Sequence, residues 1–342
     1  MGCDMNDFNG SNDFDNRKLL ETLQEQMGEE FAPASLGLLP RVFRLILIDH
    51  EKEGERQTRC TATIFHEKAA LRVSWTTGTP DPRLKPGELV SPRWFGASSY
   101  ENGAIRIRRL VPMERPDSWE NLFHTVPHGW VKDRELIERA AKLVEALPCH
   151  YRHLLNAIFW DGGRFKRFCT LQTAMHGHHS ENIGNLRHAV EVAEMMRGGC
   201  KTMEKASMAL CILVGLLHDA GKADEYCLSP NGEWVPTDRG KLMWHKVTVI
   251  EWVAEANARW NLNLPEKNYM ALLHCLISST NAPEWLGIRR PATPEAALLS
   301  VMEKPSGMEE LIRRTAHGSA GRVEFHAHLN GRPHQIGPNL LG

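Results

Sequence analysis

The stretch 205-KASMALCILVGLLHDAGKADEY-226 joins a helix-length run of apolar residues to a polar segment that begins with His218 and Asp219. Imidazole and carboxylate groups are both good ligands for divalent metals. Successive residues on a helix point about 100° apart, so these two side chains reach one region only where the helix ends. Gly221 favours such an end, because glycine is common just after a helix C-terminus. The stretch therefore predicts a helix that ends at a metal site.

Other candidate ligands flank this pair in the sequence. His188 lies in the first turn of one predicted helix, His245 lies early in another, and Glu303 ends the last one. A helical domain can bring such residues to one point, where a divalent ion with open positions for water and a phosphate oxygen supports phosphoester hydrolysis. The remaining histidines of this region could orient the ligands or replace one of them. They are His178, His179 and His274.

Composition bounds the class of protein. The 342 residues suggest about two domains, and a formal net charge of −1 means that any contact with nucleic acid must come from a local patch. The cysteines form neither a C-x-x-C pair nor a compact disulfide framework, which predicts a reducing, cytoplasmic location. No apolar run approaches the roughly 20 residues of a membrane span. The N-terminal MGCDMNDFNGSNDFDN is polar and acidic, so we expect a flexible lead-in.

Five short β-rich runs follow this lead-in, separated by charged, Gly-rich or Pro-rich turns. The runs are VFRLILID, QTRCTATIF, ALRVSW, ELVSPRWF and AIRIRRLV. They predict a small antiparallel barrel or sandwich.

Arginines alternate with apolar residues in two of these runs, which places Arg72, Arg106 and Arg108 on one exposed face. Nearby aromatic rings, including Tyr100, offer stacking surfaces, and stacking a base on such a ring contributes about 1–3 kcal/mol. The alternative is that the arginines are a solvated face and the tryptophans belong to the core. The predicted nucleic-acid-binding residues are Arg72, Trp75, Arg93, Trp94, Arg106 and Arg108.

Helical periodicity replaces the strand pattern after Pro116. The helical runs are VKDRELIERAAKLVEAL, HYRHLLNAIFWD, NLRHAVEVAEMMR, KASMALCILVGLLHDAG, GKLMWHKVTVIEWVAEANARW, KNYMALLHCLIS and TPEAALLSVME. We therefore expect a flexible segment over residues 1–38, a barrel over 39–113, a helical linker over 114–173, an all-α domain over 174–310 and a tail over 311–342.

The order of the candidate ligands resembles the HD superfamily of metal-dependent phosphohydrolases: His188, then His218-Asp219 with Gly221-Lys222, then a late carboxylate. The segment 168-FCTLQTAMHGHHSENIGNLRHAVEVAEMM-196 is similar to the part of YhaM-type 3'-5' exoribonucleases that contains a His-His pair, a Gly-x-L turn and the first metal histidine. Those enzymes couple an OB-fold to an HD domain, and the resemblance covers roughly residues 40 to 305.

The resemblance implies an α+β, multidomain protein: an N-terminal small β-barrel of the OB-fold type followed by an all-α HD domain. It implies metal ligation by His188, His218 and Asp219, with Lys222 near the substrate phosphate and His245 beside the metal centre. Catalytic roles are thus expected for Asp219, Lys222 and His245. The expected ion is Mn²⁺, with Mg²⁺, Co²⁺, Fe²⁺ or Ni²⁺ as alternatives.

Two departures from the exonuclease pattern leave the activity open. The chain has Ser279-Thr280 where the pattern has a second His-His pair, and Glu303 where it has a closing Asp. His274 could compensate, the site could hold one ion, or the domain could bind without catalysing. The HD domain of TraI-type conjugative relaxases is a second resemblance, through the Trp-x-Pro at Trp234.

We therefore predict a metal-dependent 3'-5' exonuclease that acts on single-stranded RNA or DNA. This prediction is compatible with a homo-oligomer. The alternatives are an HD-type nucleotide phosphohydrolase and a conjugation-associated or nucleic-acid-binding protein with a degenerate HD site. No membrane partner is expected.

Overall fold

The structure is a computed structural model and describes residues 39–95, 100–171, 184–229, 231, 234–280, 285 and 287–315, with the backbone alone for 306–315. Residues 1–38, His178, His179 and most of the predicted tail lie outside this part of the chain. The described residues divide into a barrel unit, 39–114 with 124–127, and a helical unit, 115–123 with the residues from 128 onwards. Most of the predicted linker over 114–173 thus belongs to the helical unit.

Five strands close into a small barrel, which confirms the sequence prediction of a barrel or sandwich. The barrel strands are β1 (Phe43–Lys52), β2 (Thr58–His66), β3 (Ala69–Thr77), β4 (Leu89–Trp94) and β6 (Ala104–Pro112), and a sixth, two-residue strand, β5 (Tyr100–Glu101), pairs with β6. The five are hydrogen-bonded in the order β3-β2-β1-β4-β6, and β6 returns to β3. The β3–β6 pairing is parallel, whereas the other pairings are antiparallel.

The barrel core follows from the alternation of apolar and polar residues. Leu71, Val73 and Trp75 of β3 are buried, while Arg72 between them is exposed. The short strand β5 forms a hairpin with β6 through Asn102 and Gly103, which both have positive φ. These angles are those of a type I′ turn, whose twist matches that of the flanking strands.

Within the described ranges, the helical unit contains ten α-helices and one two-stranded hairpin. A 3₁₀ helix (Leu122–Thr125) begins in this unit and ends in residues assigned to the barrel unit. The helices are α1 (Arg134–Glu145), α2 (Cys149–Ile158), α3 (Gly162–Thr170), α4 (Gly184–Cys200), α5 (Met208–Leu217), α6 (Lys222–Glu225), α7 (Asp238–Leu242), α8 (His245–Trp260), α9 (Glu266–Ile277) and α10 (Pro294–Thr315). The hairpin strands are β7 (Tyr226–Leu228) and β8 (Trp234–Pro236).

Side-chain caps fix where several of these helices begin. Asp133, Asp161 and Ser207 each accept a backbone N–H from the first turn of α1, α3 and α5, respectively. Such a cap satisfies an N–H group that the helix itself leaves unpaired, and it contributes about 1 kcal/mol.

Two helix boundaries differ from the sequence prediction. The run over 240–260 is interrupted, because Met243 and Trp244 adopt extended backbone angles between α7 and α8. The last helix continues through Pro305 to Thr315, so the first residues of the predicted tail are helical. The first difference matters for function, because it places His245 at the first position of α8.

Candidate metal centre

The close crossing of α4 and α5 brings His188 and His218 together. A Cβ on Gly215 would lie 2.4 Å from the Cα of Ala193, so only glycine permits this approach. Helix α5 is apolar along its length and ends at Leu217. The next residue, His218, caps the helix by donating its backbone N–H to the carbonyl oxygen of Val214. The predicted end of the helix at the His218-Asp219 pair is therefore observed.

The atoms that can bind metal converge from His188, His218 and Asp219, and all lie within 4.8 Å of one another. His188 Nε2 is 3.2 Å from His218 Nε2 and 3.5 Å from Asp219 Oδ2, and His218 Nε2 is 3.8 Å from the same oxygen. A triangle with these sides has a circumscribed radius of about 2.0 Å, which is close to the usual length of a metal–nitrogen or metal–oxygen bond. We call these three residues the metal cluster.

Hydrogen bonding and burial leave the imidazoles of the metal cluster in the form that binds metals. His218 Nδ1 lies 2.8 Å from the carbonyl oxygen of Gly215. Because a carbonyl only accepts, this nitrogen carries the proton, and the lone pair is on Nε2, which faces His188. Burial lowers the pKa of His218, and burial, followed by the proximity of His218, lowers the pKa of His188 to about 4, since the two rings cannot both hold a proton at low cost. Both rings are therefore neutral near pH 7.

Asp219 supplies the negative charge of the site. Lys222 Nζ donates to Asp219 Oδ2 at 2.5 Å, and His245 Nε2 lies 3.1 Å from Asp219 Oδ1. Burial by itself raises the pKa of the Asp219 carboxyl, but His218, Lys222 and His245 outweigh it and hold the pKa well below the usual range. The carboxylate is thus ionised and about nine-tenths buried, with its side chain 10 % exposed.

His245 is held between two carboxylates. Its Nε2 faces Asp219, and its Nδ1 lies 3.3 Å from Glu225 Oε1. Burial lowers the pKa of His245, but the hydrogen bonds to both carboxylates outweigh burial and raise it. The pKa of the ring therefore lies above that of a free imidazole.

Gly221 serves a different purpose from the one that the sequence suggests. Its backbone is right-handed, with φ −62°, so it is not the left-handed glycine that follows many helices. A Cβ at this position would lie 2.2 Å from the carbonyl oxygen of His245. The missing side chain therefore lets the start of α8 approach the turn that carries Asp219, and this approach positions His245.

Two further residues that the sequence placed at the site are not among the three that converge. Glu303, predicted as a ligand, lies outside this group, but it is near enough to interact with Asp219: burial raises its pKa, Lys246 opposes that rise, and the charge of Asp219 adds to it. His274 accepts the backbone N–H of Ala292 at 2.9 Å through Nε2, which occupies that lone pair. It ties α9 to the segment before α10 and is not one of the three residues whose ligand atoms converge.

Glu225, which contacts His245, is a residue at the candidate site that sequence reasoning missed. Asp224 and Glu225 are adjacent acids, and only one of them faces the site: Asp224 pairs with Arg167, and Glu225 is buried against His245. Nothing in the sequence distinguishes the two, because α6 is a single turn whose orientation depends on its neighbours.

The arginine face of the barrel unit is largely as predicted. Arg72, Arg93, Arg106 and Arg108 are exposed. Arg106 lies 3.8 Å from Glu101, whereas no salt bridge is formed by Arg72, Arg93 or Arg108 with a carboxylate in the described part of the chain. The face therefore carries cations that are not neutralised by those carboxylates.

The aromatic residues of this face differ from the prediction. Trp75 is 6 % exposed and belongs to the barrel core, because it lies on the inward-facing side of β3, so it cannot stack a base. Trp94 is half-buried against the same core. Phe95, which sequence reasoning missed, lies beneath Arg106 and Arg108, whose guanidinium carbons are 6.0 and 5.6 Å from the ring centroid. Arg109, also missed, is exposed and stands opposite Arg93 in the β4–β6 pairing.

Within the part of the chain that the structure describes, no helix has both the length and the apolar composition needed to cross a bilayer. Comparison of the chain with protein-family models, with curated proteins and with solved structures finds no match.

Proposed function

We propose that this protein is a divalent-metal-dependent phosphohydrolase of the HD type that removes nucleotides from the 3' end of single-stranded nucleic acid. The observation that carries the proposal is the convergence of His188, His218 and Asp219 at distances that one ion can bridge. Two imidazoles and one carboxylate favour a transition metal such as Mn²⁺ over Ca²⁺.

The residues at and around the metal cluster have different roles in the proposed reaction. An ion bound by the metal cluster would supply Lewis-acid chemistry, since it lowers the pKa of water and polarises a phosphoryl oxygen. Lys222 places positive charge beside Asp219, where it favours the approach of a phosphate group, and His245 lies on the other oxygen of the same carboxylate. Glu225 orients His245 and keeps the proton on its Nδ1. The exposed fractions of the His188 and Lys222 side chains, 12 % and 24 %, leave one side of the site in contact with solvent.

The barrel supports single-stranded nucleic acid as the substrate. Its strand order, with three consecutive strands and a parallel closure between the third and the last, is that expected of an OB-fold, a fold that uses its second and third strands and adjoining loops to bind oligonucleotides. Arg72 lies on the third strand, and Phe95 follows the fourth. Together they offer a phosphate contact and a stacking ring.

Metal content and cleavage of end-labelled strands test this proposal on one preparation. Purified protein is analysed for bound metal, and then incubated with Mn²⁺ and RNA or DNA strands labelled at the 3' or the 5' end. The matched variants are Asp219→Asn and Asp224→Asn, which change equivalent carboxylates in one segment, the second of which pairs with Arg167. We expect stepwise shortening from the 3' end that is lost in Asp219→Asn and retained in Asp224→Asn.

Two results would contradict the proposal. Strand binding without cleavage, together with less than one metal ion per chain, would indicate a binding protein that does not hydrolyse its ligand. Hydrolysis of mononucleotides without any shortening of strands would indicate a nucleotide phosphohydrolase.

A further inference from the structure

Trp244 presents an exposed aromatic ring beside the metal cluster. Its side chain is 69 % exposed, and Leu242, Met243 and Val247 around it are exposed as well. Its Nε1 lies 3.2 Å from His245 Nε2, the atom that contacts Asp219 Oδ1 at 3.1 Å. The exposed indole is thus separated from a metal ligand by a single residue.

Apart from the hydrogen bond that its Nε1 donates to His245 Nε2, Trp244 has no side-chain hydrogen bond to a described residue that fixes the start of α8. It occupies the N-cap position of α8, where Ser, Thr, Asp or Asn would accept a backbone N–H, and its side chain makes no such bond. It also lies in the extended segment that interrupts the helical pattern between α7 and α8. With Leu242, Met243 and Val247 it forms an exposed apolar patch, and such a patch is typical of a binding surface.

We infer that Trp244 is a stacking platform for the base of the nucleotide whose phosphate is bound at the metal cluster. The inference rests on the proposed function, because it assigns that function a residue that recognises the base. The Trp244 and His245 rings have centroids 5.7 Å apart and are tilted by 58°, so the indole offers a face next to the site and does not stack on the histidine. A base lies one sugar away from its phosphate, and one side chain, that of His245, lies between Trp244 and Asp219.

Stacking of this kind makes the base necessary but its identity unimportant, since every base has a π-face. The enzyme should therefore prefer a strand whose 3'-terminal nucleotide carries a base over one whose terminal nucleotide is abasic. It should discriminate little among the four bases. Trp244 then determines specificity for nucleotides over other phosphodiesters without touching the reacting bond.

The first test measures binding without turnover. A nucleoside monophosphate, which is the reaction product and is not turned over, and ribose 5-phosphate are titrated by calorimetry into Mn²⁺-loaded wild-type protein, Trp244→Ala, Trp244→Phe and Trp119→Ala. Trp119 is a matched control because it is 61 % exposed and lies in a turn held by Asp117. We expect Trp244→Ala to weaken binding of the nucleoside monophosphate about tenfold to a hundredfold and to leave ribose 5-phosphate unchanged. Trp244→Phe should retain most of the affinity, and Trp119→Ala all of it.

The second test uses strands that end in a normal or an abasic 3' nucleotide, with Mn²⁺ present. We expect Trp244→Ala to raise KM for the normal strand, leave kcat nearly unchanged, and abolish the preference over the abasic strand. Equal binding of the nucleoside monophosphate by wild type and Trp244→Ala, or no binding by wild type, would overturn the inference. Failure to hydrolyse either strand would instead refute the proposed function, and the binding test would still decide the role of Trp244.

Discussion

Both units of the protein bury histidines, but the surroundings of those histidines differ. In the barrel unit, His66 accepts the backbone N–H of Lys68 through Nδ1, and its ring packs edge-on against Phe43 and His124. In the helical unit, the rings of His188 and His218 face each other and the carboxylate of Asp219.

Burial has the same electrostatic effect in both places. It lowers the pKa of His66 to about 3, with His124 and Lys68 adding to the effect, and it lowers the pKa of His188 to about 4. A buried, neutral imidazole is therefore insufficient to define a metal site. The distinguishing feature is the convergence of a second imidazole and a carboxylate on one point. Among the described residues, such a convergence is found only in the helical unit.

The first prediction contrasts the two kinds of histidine directly. His188→Gln removes one of three converging ligand atoms and should weaken Mn²⁺ binding by about a hundredfold or more, since even changes to the residues that support metal ligands weaken binding by about 10- to 100-fold. His66→Gln should leave the metal affinity unchanged. Equilibrium dialysis against Mn²⁺ measures both affinities. If His188→Gln retained Mn²⁺ and His66→Gln lost it, the metal site would lie in the barrel unit and not in the helical unit.

The second prediction concerns pH and the buried histidine of the barrel. Because folding lowers the pKa of His66 from 6.5 to about 3, the unfolded chain takes up a proton at a pH where the folded chain does not. This contribution to stability is complete above pH 6.5 and is lost progressively as the pH falls towards 3. Between pH 6.5 and pH 5 the loss amounts to about 2 kcal/mol.

His66→Asn isolates that effect, because Asn Oδ1 can accept the Lys68 N–H in place of His66 Nδ1 but does not titrate. Urea denaturation at pH 7 and at pH 5 measures the free energy of unfolding of both proteins. We expect wild type to lose about 2 kcal/mol more than the variant between these pH values. Parallel losses in the two proteins would mean that His66 is protonated in the folded barrel.

The sequence predicts those features of the fold and site that depend on local pattern. Alternation along β3 and β6 predicts the barrel strands, and the apolar run before His218 predicts a helix that ends at the ligand pair. In both cases each residue's environment follows from its own neighbours in the chain.

Features that depend on contacts between distant segments could not be predicted. Trp75 and Trp94 look equally suitable for stacking, and only barrel closure shows that Trp75 is a core residue. Asp224 and Glu225 are distinguished only by the approach of Arg167 to one and His245 to the other. The purpose of Gly221 likewise becomes clear only from the position of the first residue of α8.

The third prediction concerns Glu225, a carboxylate that supports a histidine in the helical unit and has no counterpart beside His66 in the described part of the barrel. Glu225→Gln removes the charge that faces His245 Nδ1 while keeping the shape of the side chain. Loss of that partner lowers the pKa of His245 and weakens its hold on Asp219, so Mn²⁺ affinity should fall by about 10- to 100-fold. Glu194→Gln is a suitable control, because Glu194 pairs with Arg139 on the same unit. Equal Mn²⁺ affinities for wild type and Glu225→Gln would mean that the Glu225–His245 contact does not contribute to metal binding.

The last prediction extends the comparison from histidines to cations, and its expected effect is the smallest. In the helical unit Lys222 is paired with Asp219, whereas in the barrel unit Arg108 lies over Phe95 and is exposed. An arginine without an acidic neighbour can neutralise a phosphate, so Arg108→Gln should reduce the slope of log K against log salt for single strands by about 0.7. Arg83 already pairs with Asp81 and Glu114 in the same unit, and Arg83→Gln should leave the slope unchanged. Fluorescence anisotropy with a labelled strand at several salt concentrations gives both slopes. If Arg83→Gln reduced the slope as much as Arg108→Gln does, the cations of the barrel would attract the strand only through overall charge, and the arginine face would not be a specific binding surface.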